Sequence, residues 1–577
     1  MNGKYRNSPI PLEANTGTIG SMILERAGAW PGHALFASRE QGGFQTVSWQ
    51  QFLKDIAGLS NFLWERGVKK GDRAAVFSPN SYAMLVWEAA VTSMGAISVP
   101  IYAGYNAANL DYILNRAEPS AVFIDGEERL GKFEACVSGP AIKTVVTRQR
   151  SRHTDFSRCL GESPIEDFRR RVTAVDQEDV CFIHFTSGTT GPPKGVMLTH
   201  RNIMSQRVAH ATNWEIPFAS RFLSYLPWHH SYGGLFERFT ALYHGAVIYL
   251  EDSLGKDIDR LIVNWGIVRP THFFSVPKIF RALVTEAKLN PGIKQTLFHP
   301  GLQFVYTAGA PLPKDIGAYI SAQSIPILEG WGLTETSPTV TMTSLGQKRI
   351  HSYVGDPIPG CEILITEENE ILVKGPNVMK GYYKDPEKTA LAIDPSGWFH
   401  TGDLGDLTDH GLKLMYRCDG VFKLANGEKV SSIHVENELT AASHWISQAV
   451  VVGATEDFVA ALVFPNFRRL QDWAAKNGKG LAEGRELARD REIQDLFCRE
   501  IAGGNRELDP HYLRVKKFVI IPEVLTVENG CLTPSLKVIY HHVTKKYKEW
   551  IEAIFRPAQN PSMEPFIVSV PGVGSEE

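Results

Sequence analysis

Residues 185–195 read FTSGTTGPPKG and follow directly on the apolar run at 180–183. Thr186, Ser187, Thr189 and Thr190 offer hydroxyl donors. Gly188 and Gly191 let the backbone curl until its N–H groups converge on one point, which suits an anion such as a phosphate. Two prolines stiffen the end of the segment, and Lys194 adds a positive charge. The usual nucleotide phosphate loop, G-x-x-x-x-G-K-[ST], places a glycine before its lysine and runs straight into a helix. Here Pro193 precedes Lys194 and Gly195 follows it, so this is a different loop. A solvated surface turn has the same composition, and the segment alone leaves both readings open. The neighbours His229 and His230 invite a metal reading, but adjacent residues in a strand or loop point apart and no carboxylate stands at ligand spacing.

A globular interior must hold this loop in place. The chain has 577 residues, 43% of them hydrophobic and 21% charged, which is too long for one core and suggests a large domain with at least one more. A formal net charge of -3 gives no general attraction to nucleic acid. The seven cysteines are scattered, with no C-x-x-C pair and no His/Cys cluster at zinc spacing, as suits a reducing compartment. The N-terminal residues show no basic stretch leading into an apolar one, so no secretory signal is expected. The most apolar long window, residues 83–103, contains Glu88 and is broken by Gly95 and Pro100, which argues against a membrane span.

From Asp72 the pattern alternates. RAAVF reads as a strand, SPNS as a turn and helix start, YAMLVWEAAVTSM as a helix and GAISVPIYA as a strand. NAANLDYILNRA then reads as a helix that Asn106 could cap, and SAVFID as the next strand. Such alternation predicts parallel sheets covered by helices, with ligands at the C-terminal ends of the strands. The loop fits that place, after DVCFIHF and before a helix predicted from Asn202. Beyond about residue 340, EILITEENEILVKGP predicts an antiparallel hairpin in a smaller sheet, and GWFHTGDLGDLTDHGLKLMYRCDG reads as turn-rich. A long charged helical insertion is predicted after Asn466, and the tail beyond Phe555 is expected to wrap the surface or stay disordered.

Three further motifs follow the loop in order: Trp331-Gly332-Leu333-Thr334-Glu335, Thr401-Gly402-Asp403, and LTPSLK ending at Lys537. Together they resemble the signature of the adenylate-forming superfamily of acyl-CoA synthetases, peptide-synthetase adenylation domains and firefly luciferase, over almost the whole chain. Two positions depart from the family pattern: Trp331 stands where a tyrosine is customary, and Tyr416-Arg417 where the family has Gly-Arg. The resemblance implies an α/β fold. A large N-terminal domain (1–418) of parallel and mixed sheets flanked by helices, with a small β-sheet subdomain, precedes a smaller mobile α+β domain (419–577) that turns about Asp419.

The same resemblance implies roles for individual residues. Thr186, Ser187, Gly188, Thr189, Thr190 and Gly191 would hold the ATP phosphates together with Lys194. Thr334 can donate to an α-phosphate oxygen, and Glu335, with Thr186 nearby, supplies a hard oxygen ligand for Mg2+. YTAGAPLP (306–313) is similar to the family's Gly-Gly-Ala-Pro segment, with Ala308 for the first glycine, so Gly309, Ala310 and Pro311 would line the adenine and acyl pockets. Glu329, Gly330 and Gly332 belong to the nucleotide site with Trp331, whose flat face could stack on adenine or simply fill the core. Asp403 would accept the ribose hydroxyls, Arg417 would join it, Gly427 in LANGEKV would line the thiol channel, and His230 in LPWHHSYGGLFER would close the carboxylate end. Lys537, whose bland reading is a solvated lysine, would bridge the carboxylate and the α-phosphate.

VPKIF, NEILVKGPNVMKGYYKDPEKTA, FKLANGEKV and LTPSLKVIYHHVTKKYKEWIE look most like long-chain fatty acyl-CoA synthetases. The implied reaction joins a fatty acid to CoA through acyl-AMP, with ATP and Mg2+. Open alternatives are a medium-chain or aryl acid, an acyl carrier protein as the acceptor, and a silent nucleotide- or lipid-binding sensor. Retention of Lys194, Thr334, Glu335, Asp403, Arg417 and Lys537 opposes the last. No nucleic-acid partner is expected. A cytoplasmic protein with at most peripheral membrane contact fits the absence of an apolar anchor.

Overall fold

The computed structural model describes residues 3–571 except 15–16, 41–42, 137–141, 150, 162–163, 187–192, 348, 418–419, 479, 481–483, 528 and 533–537, and describes only the backbone of 416–417. The chain forms two compact units, the larger running to Leu414 and the smaller from Met415 onward, with Gly402–Leu404 grouping with the smaller.

Two large sheets organise the larger unit. One has eight strands in the order Gly381–Tyr382, Lys194–Thr199, Val180–Thr186, Ile97–Ile101, Arg73–Phe77, Ala121–Ile124, Thr144–Thr147 and Thr154–Asp155. Its interior pairs are parallel, as the alternating pattern requires. The pairs at the Gly381–Tyr382 end are antiparallel. The other sheet has nine strands and is parallel from Ala34–Glu40 through Ile327–Trp331, with antiparallel strands at both edges. Ile97–Ile101 is buried at every residue, the run of apolar side chains expected of a strand covered on both faces.

The apolar window at 83–103 is explained by burial within this unit. Ser81 caps helix Tyr82–Ser93 by accepting from the Met84 N–H at 3.1 Å, and no residue from Ala83 to Ser93 is exposed. Glu88, inside that helix, must therefore find a partner, since a buried charge without one is costly. It pairs with Arg238, also buried, and accepts from Ser98 at 3.3 Å. Arg238 follows a π-helical segment, Tyr232–Glu237, and donates to the Gly234 carbonyl at 3.1 Å, so the ion pair ties the helix to the stretch that begins at His230. Among the described residues no helix is long and apolar enough to cross a membrane.

The structure departs from the sequence expectations in five places. Between the loop and the helix expected from Asn202 stands an unforeseen strand, Lys194–Thr199, and the helix begins two residues earlier, at His200. The stretch around Thr401 is a pair of long strands, Phe399–Thr408 and Gly411–Arg417, because its alternation of buried and half-buried residues outweighs its glycines. Near the N-terminus, Lys4–Asn7 adds an antiparallel strand to this sheet through Glu362–Ile365. The charged insertion is not one helix but three, Phe467–Lys476, Gly484–Arg489 and Arg491–Asn505. The tail folds: Ile567–Ser569 pairs with Val515–Ile520 and completes the four-stranded sheet of the smaller unit, anchored by buried Met563 and Phe566.

Removing one member of the buried pair strands the other. Glu88→Ala is expected to destabilise the larger unit by about 3–5 kcal/mol, and Glu88→Leu combined with Arg238→Met to recover most of that loss. Urea unfolding followed by tryptophan fluorescence checks both, and a single-variant cost below about 1 kcal/mol would contradict the assignment.

Candidate functional site

The base of the loop is set by strand register. Thr186 and Lys194 are directly opposed partners in the antiparallel pair Val180–Thr186 and Lys194–Thr199. Ser187, Gly188, Thr189, Thr190 and Gly191 lie outside the described residues. Tyr112 donates its hydroxyl to the Pro193 carbonyl at 3.2 Å, and the Tyr383 N–H donates to the Gly195 carbonyl at 2.7 Å, fixing the lysine end. Lys194 Nζ stands 5.2 Å from the centre of the Tyr382 ring, within cation–π range.

The second motif is carried to the same place by buried amides. Thr199 and Asn202 form a capping box at the start of helix His200–Asn213. The Asn202 amide also donates to the carbonyls of Pro376 and Val378 at 2.8 and 2.9 Å. One turn on, Gln206 donates to the Thr339 carbonyl at 2.9 Å and accepts from its N–H at 3.2 Å. Asn377 donates to the carbonyls of Thr336 and Thr339, and the Met379 N–H donates to the Glu335 carbonyl at 2.8 Å. The 3-10 turn Thr334–Thr336 is thus held from both sides. Gly332 permits it: a side chain there would begin 1.8 Å from the Pro338 carbonyl oxygen.

On this scaffold Thr334 and Glu335 are half-buried. The Thr334 hydroxyl is 3.0 Å from that of Ser231, and Glu335 accepts from the Tyr382 hydroxyl at 3.0 Å through Oε1. The structure therefore brings together Thr186, Lys194, Thr334 and Glu335, and adds Ser231 and Tyr382. Both additions lay inside stretches quoted for other reasons, LPWHHSYGGLFER and KGYYKDPEK. Neither serine nor tyrosine signals a site by type alone. The Glu335 carboxylate offers hard oxygen ligands, which suit a dication such as Mg2+. Among the described residues no group of three or more His, Cys, Asp or Glu could hold a metal.

The two neighbouring histidines have different contacts. His229 is half-buried, its ring centre 4.7 Å from that of Tyr102. His230 is half-buried, and its Nδ1 accepts from the Tyr232 N–H at 3.3 Å. His184 donates through Nδ1 to the His229 carbonyl at 3.2 Å. Burial first, then His230 nearby, pushes the imidazoles of both His184 and His229 down to about 3.

The remaining expected residues fall as follows. Gly309, Ala310 and Pro311 form an exposed loop after strand Phe304–Thr307, with Gly309 at φ 86. Glu329 is buried and pairs with Arg349, whose Nη2 donates to the Leu312 carbonyl at 2.8 Å, so its carboxylate secures that loop. Arg349 was not picked out from the sequence. Gly330 lies against the Tyr306 hydroxyl, and Trp331 is buried in the core of the larger unit. Asp403 is buried on strand Phe399–Thr408, near Thr401, which donates to the Ile371 carbonyl at 2.7 Å. The Arg417 side chain, Asp419 and Lys537 lie outside what is described.

In the smaller unit Gly427 sits at φ 88 in the turn between strands Val421–Lys423 and Lys429–Ser431, exposed and with open space around it. The chain on either side of 533–537 is pinned by a bridge between Leu532 and Val538 and by the Ile539 N–H donating to the Cys531 carbonyl at 2.9 Å. Just beyond, Tyr540 donates to Glu436 Oε2 at 2.6 Å, and the Val451 N–H donates to Oε1 at 2.8 Å. Burial pushes the Glu436 carboxyl up to about 7, against the pull of these two bonds.

Comparison with known proteins gives the family and the fold. Residues 24–383 match the family described as AMP-binding enzyme, and residues 419–559 match the AMP-binding enzyme C-terminal domain. The chain is 29% identical to long-chain-fatty-acid–CoA ligase 1 of Homo sapiens, over 89% of this chain and 83% of that protein. It is 27% identical to long-chain-fatty-acid–CoA ligase FadD15 of Mycobacterium bovis, over 95% and 99%. The fold matches that of ATP-bound MatB from Rhodopseudomonas palustris with a TM-score of 0.73 at 22% identity, over 92% and 99%. It also matches the A-PCP didomain of carboxylic acid reductase from Segniliparus rugosus, with 0.77 at 18% identity over 96% and 84%.

The depressed imidazoles have a measurable consequence. A histidine whose folded value lies below its unfolded one binds fewer protons when folded, so its stabilising contribution is whole above about 6.5 and is lost as pH falls toward about 3. His184 and His229 are expected to stay neutral between about pH 5 and 8. Imidazole resonances assigned by His→Gln variants should show no titration there, and a midpoint near 6.5 for either would contradict the packing.

Proposed function

Because the chain belongs to the family of AMP-binding enzymes, we propose that it joins a fatty acid, with long chains preferred, to CoA in two steps. In the first, a carboxylate oxygen attacks the α-phosphorus of ATP, the bond to the β-phosphate bridge breaks, and acyl-AMP and pyrophosphate form. In the second, the CoA thiolate attacks the acyl carbon and AMP leaves with the electron pair of the C–O bond. The observation that carries this reading is the convergence of Lys194, Thr334 and Glu335, with Ser231 and Tyr382, beside the loop anchored at Thr186. Preference for a long acyl chain is supported by the names of the relatives.

Each group has a task that its chemistry allows. Lys194 neutralises phosphate charge as a compact cation. Thr334, oriented by Ser231, donates to an α-phosphate oxygen, where positioning and charge stabilisation supply most of the catalysis in phosphoryl transfer. Glu335 holds Mg2+, which supplies further neutralisation at the phosphates. Asp403 and Arg417 bind the ribose, Trp331 flanks the adenine, and His230 closes the carboxylate end. Lys537 reaches the α-phosphate in the first step and withdraws in the second, as the smaller domain turns about Asp419 and brings Gly427 to the thiol.

The test is a pair of half-reaction assays. Supplied with ATP, Mg2+, CoA and acids from acetate to oleate, the protein is expected to release AMP and thioester in equal amounts and to favour the longer acids. Lys537→Ala should slow acyl-AMP formation by roughly 100- to 1,000-fold yet still convert supplied acyl-AMP and CoA to thioester. Equal losses in both half-reactions would overturn the assigned role of Lys537. Thioester formation on a carrier protein but not on CoA would move the acceptor to that class.

A further inference from the structure

Tyr382 touches both motifs. Its strand, Gly381–Tyr382, pairs antiparallel with Lys194–Thr199, with Tyr382 opposite Val196 and therefore two residues from Lys194 in register. Its own N–H donates to Thr389 Oγ1 at 2.9 Å, which fixes its backbone against helix Pro386–Ala392. The residue is 7% exposed, so its position is set by packing. From there the ring lies 5.2 Å from the Lys194 ammonium and the hydroxyl donates to Glu335 Oε1 at 3.0 Å.

We infer that Tyr382 is a positioning residue: its hydroxyl fixes the Glu335 carboxylate so that Oε2 is left for a divalent cation, while its ring seats Lys194 for the phosphates. The inference rests on the proposed roles of Glu335 and Lys194. Two physical features separate the jobs. A hydroxyl bonded to an ionised carboxylate is a charge-assisted bond that restricts the carboxylate's rotation. A ring facing an ammonium acts through its π-face and needs no hydroxyl. A chain that needed only a filled core at 382 could use phenylalanine.

Tyr382→Phe keeps the ring and removes the hydroxyl, and Tyr382→Leu removes both. Binding of Mn2+ to the protein–ATP complex, followed by electron paramagnetic resonance, and binding of ATP without metal, followed by calorimetry, read the two jobs apart from turnover. Tyr382→Phe is expected to weaken Mn2+ binding by about tenfold, the scale of one hydrogen bond to a charged group, with metal-free ATP affinity within twofold of the parent. Tyr382→Leu should weaken metal-free ATP binding as well, by several-fold.

Because the hydroxyl is argued to act through Glu335, adding Tyr382→Phe to Glu335→Gln should bring no further loss of Mn2+ affinity. Unchanged Mn2+ binding in Tyr382→Phe, or full additivity in the double variant, would overturn the inference. Unchanged Mn2+ binding in Glu335→Gln alone would instead overturn the metal role of Glu335 on which it rests.

Discussion

The antiparallel register that sets Thr186 opposite Lys194 is the constraint on which the site depends. Ordering a backbone costs roughly 1–2 kcal/mol per residue in entropy, and pairing Val180–Thr186 with Lys194–Thr199 in one ladder fixes both strands before any ligand arrives. The register also decides the direction of the lysine. A slip of one residue would send Lys194 to the opposite face of the sheet and leave the tyrosine at 382 facing the wrong neighbour. The rest of the larger unit can be seen as holding this register: the parallel strands behind Val180–Thr186, the Tyr112 bond to Pro193, and the short edge strand at 381–382.

A second group of residues transmits that order to Thr334 and Glu335. Asn202, Gln206 and Asn377 are buried side-chain amides that bond chiefly to the backbone. Buried amides are costly when unpaired and rigid when paired, so such a group specifies one arrangement of the chain. Helix His200–Asn213 contributes Asn202 and Gln206, which locate segments 376–379 and 334–339. Glu329 and Arg349 do the same for the loop at 309–313. Among the described residues of this site, several polar side chains serve to hold the backbone.

What could be read in the sequence follows from this division. The strand–helix alternation from Asp72 was legible, because periodicity carries it locally. The strand character of Thr401-Gly402-Asp403 was hidden by glycines, although every second residue from Phe399 to Thr408 is buried. The edge strand Lys4–Asn7 and the closing strand Ile567–Ser569 are short and gain their stability from partners hundreds or tens of residues away, which no local window reveals. Ser231, Tyr382 and Arg349 escaped for the same reason: their importance lies in what they touch. Ordinary residue types in ordinary positions acquire a role only when the register is known.

The two proposed steps place opposite demands on one site, enclosing phosphates first and admitting a thiol afterwards. The claim beneath both is that the carboxylate oxygen attacks the α-phosphorus. A fatty acid carrying 18O in both carboxylate oxygens tests it most directly, with mass spectrometry of the products after complete conversion. The account requires one 18O in the phosphate of AMP, one in the thioester carbonyl and none in pyrophosphate. Label in pyrophosphate or inorganic phosphate, or AMP free of label, would contradict it.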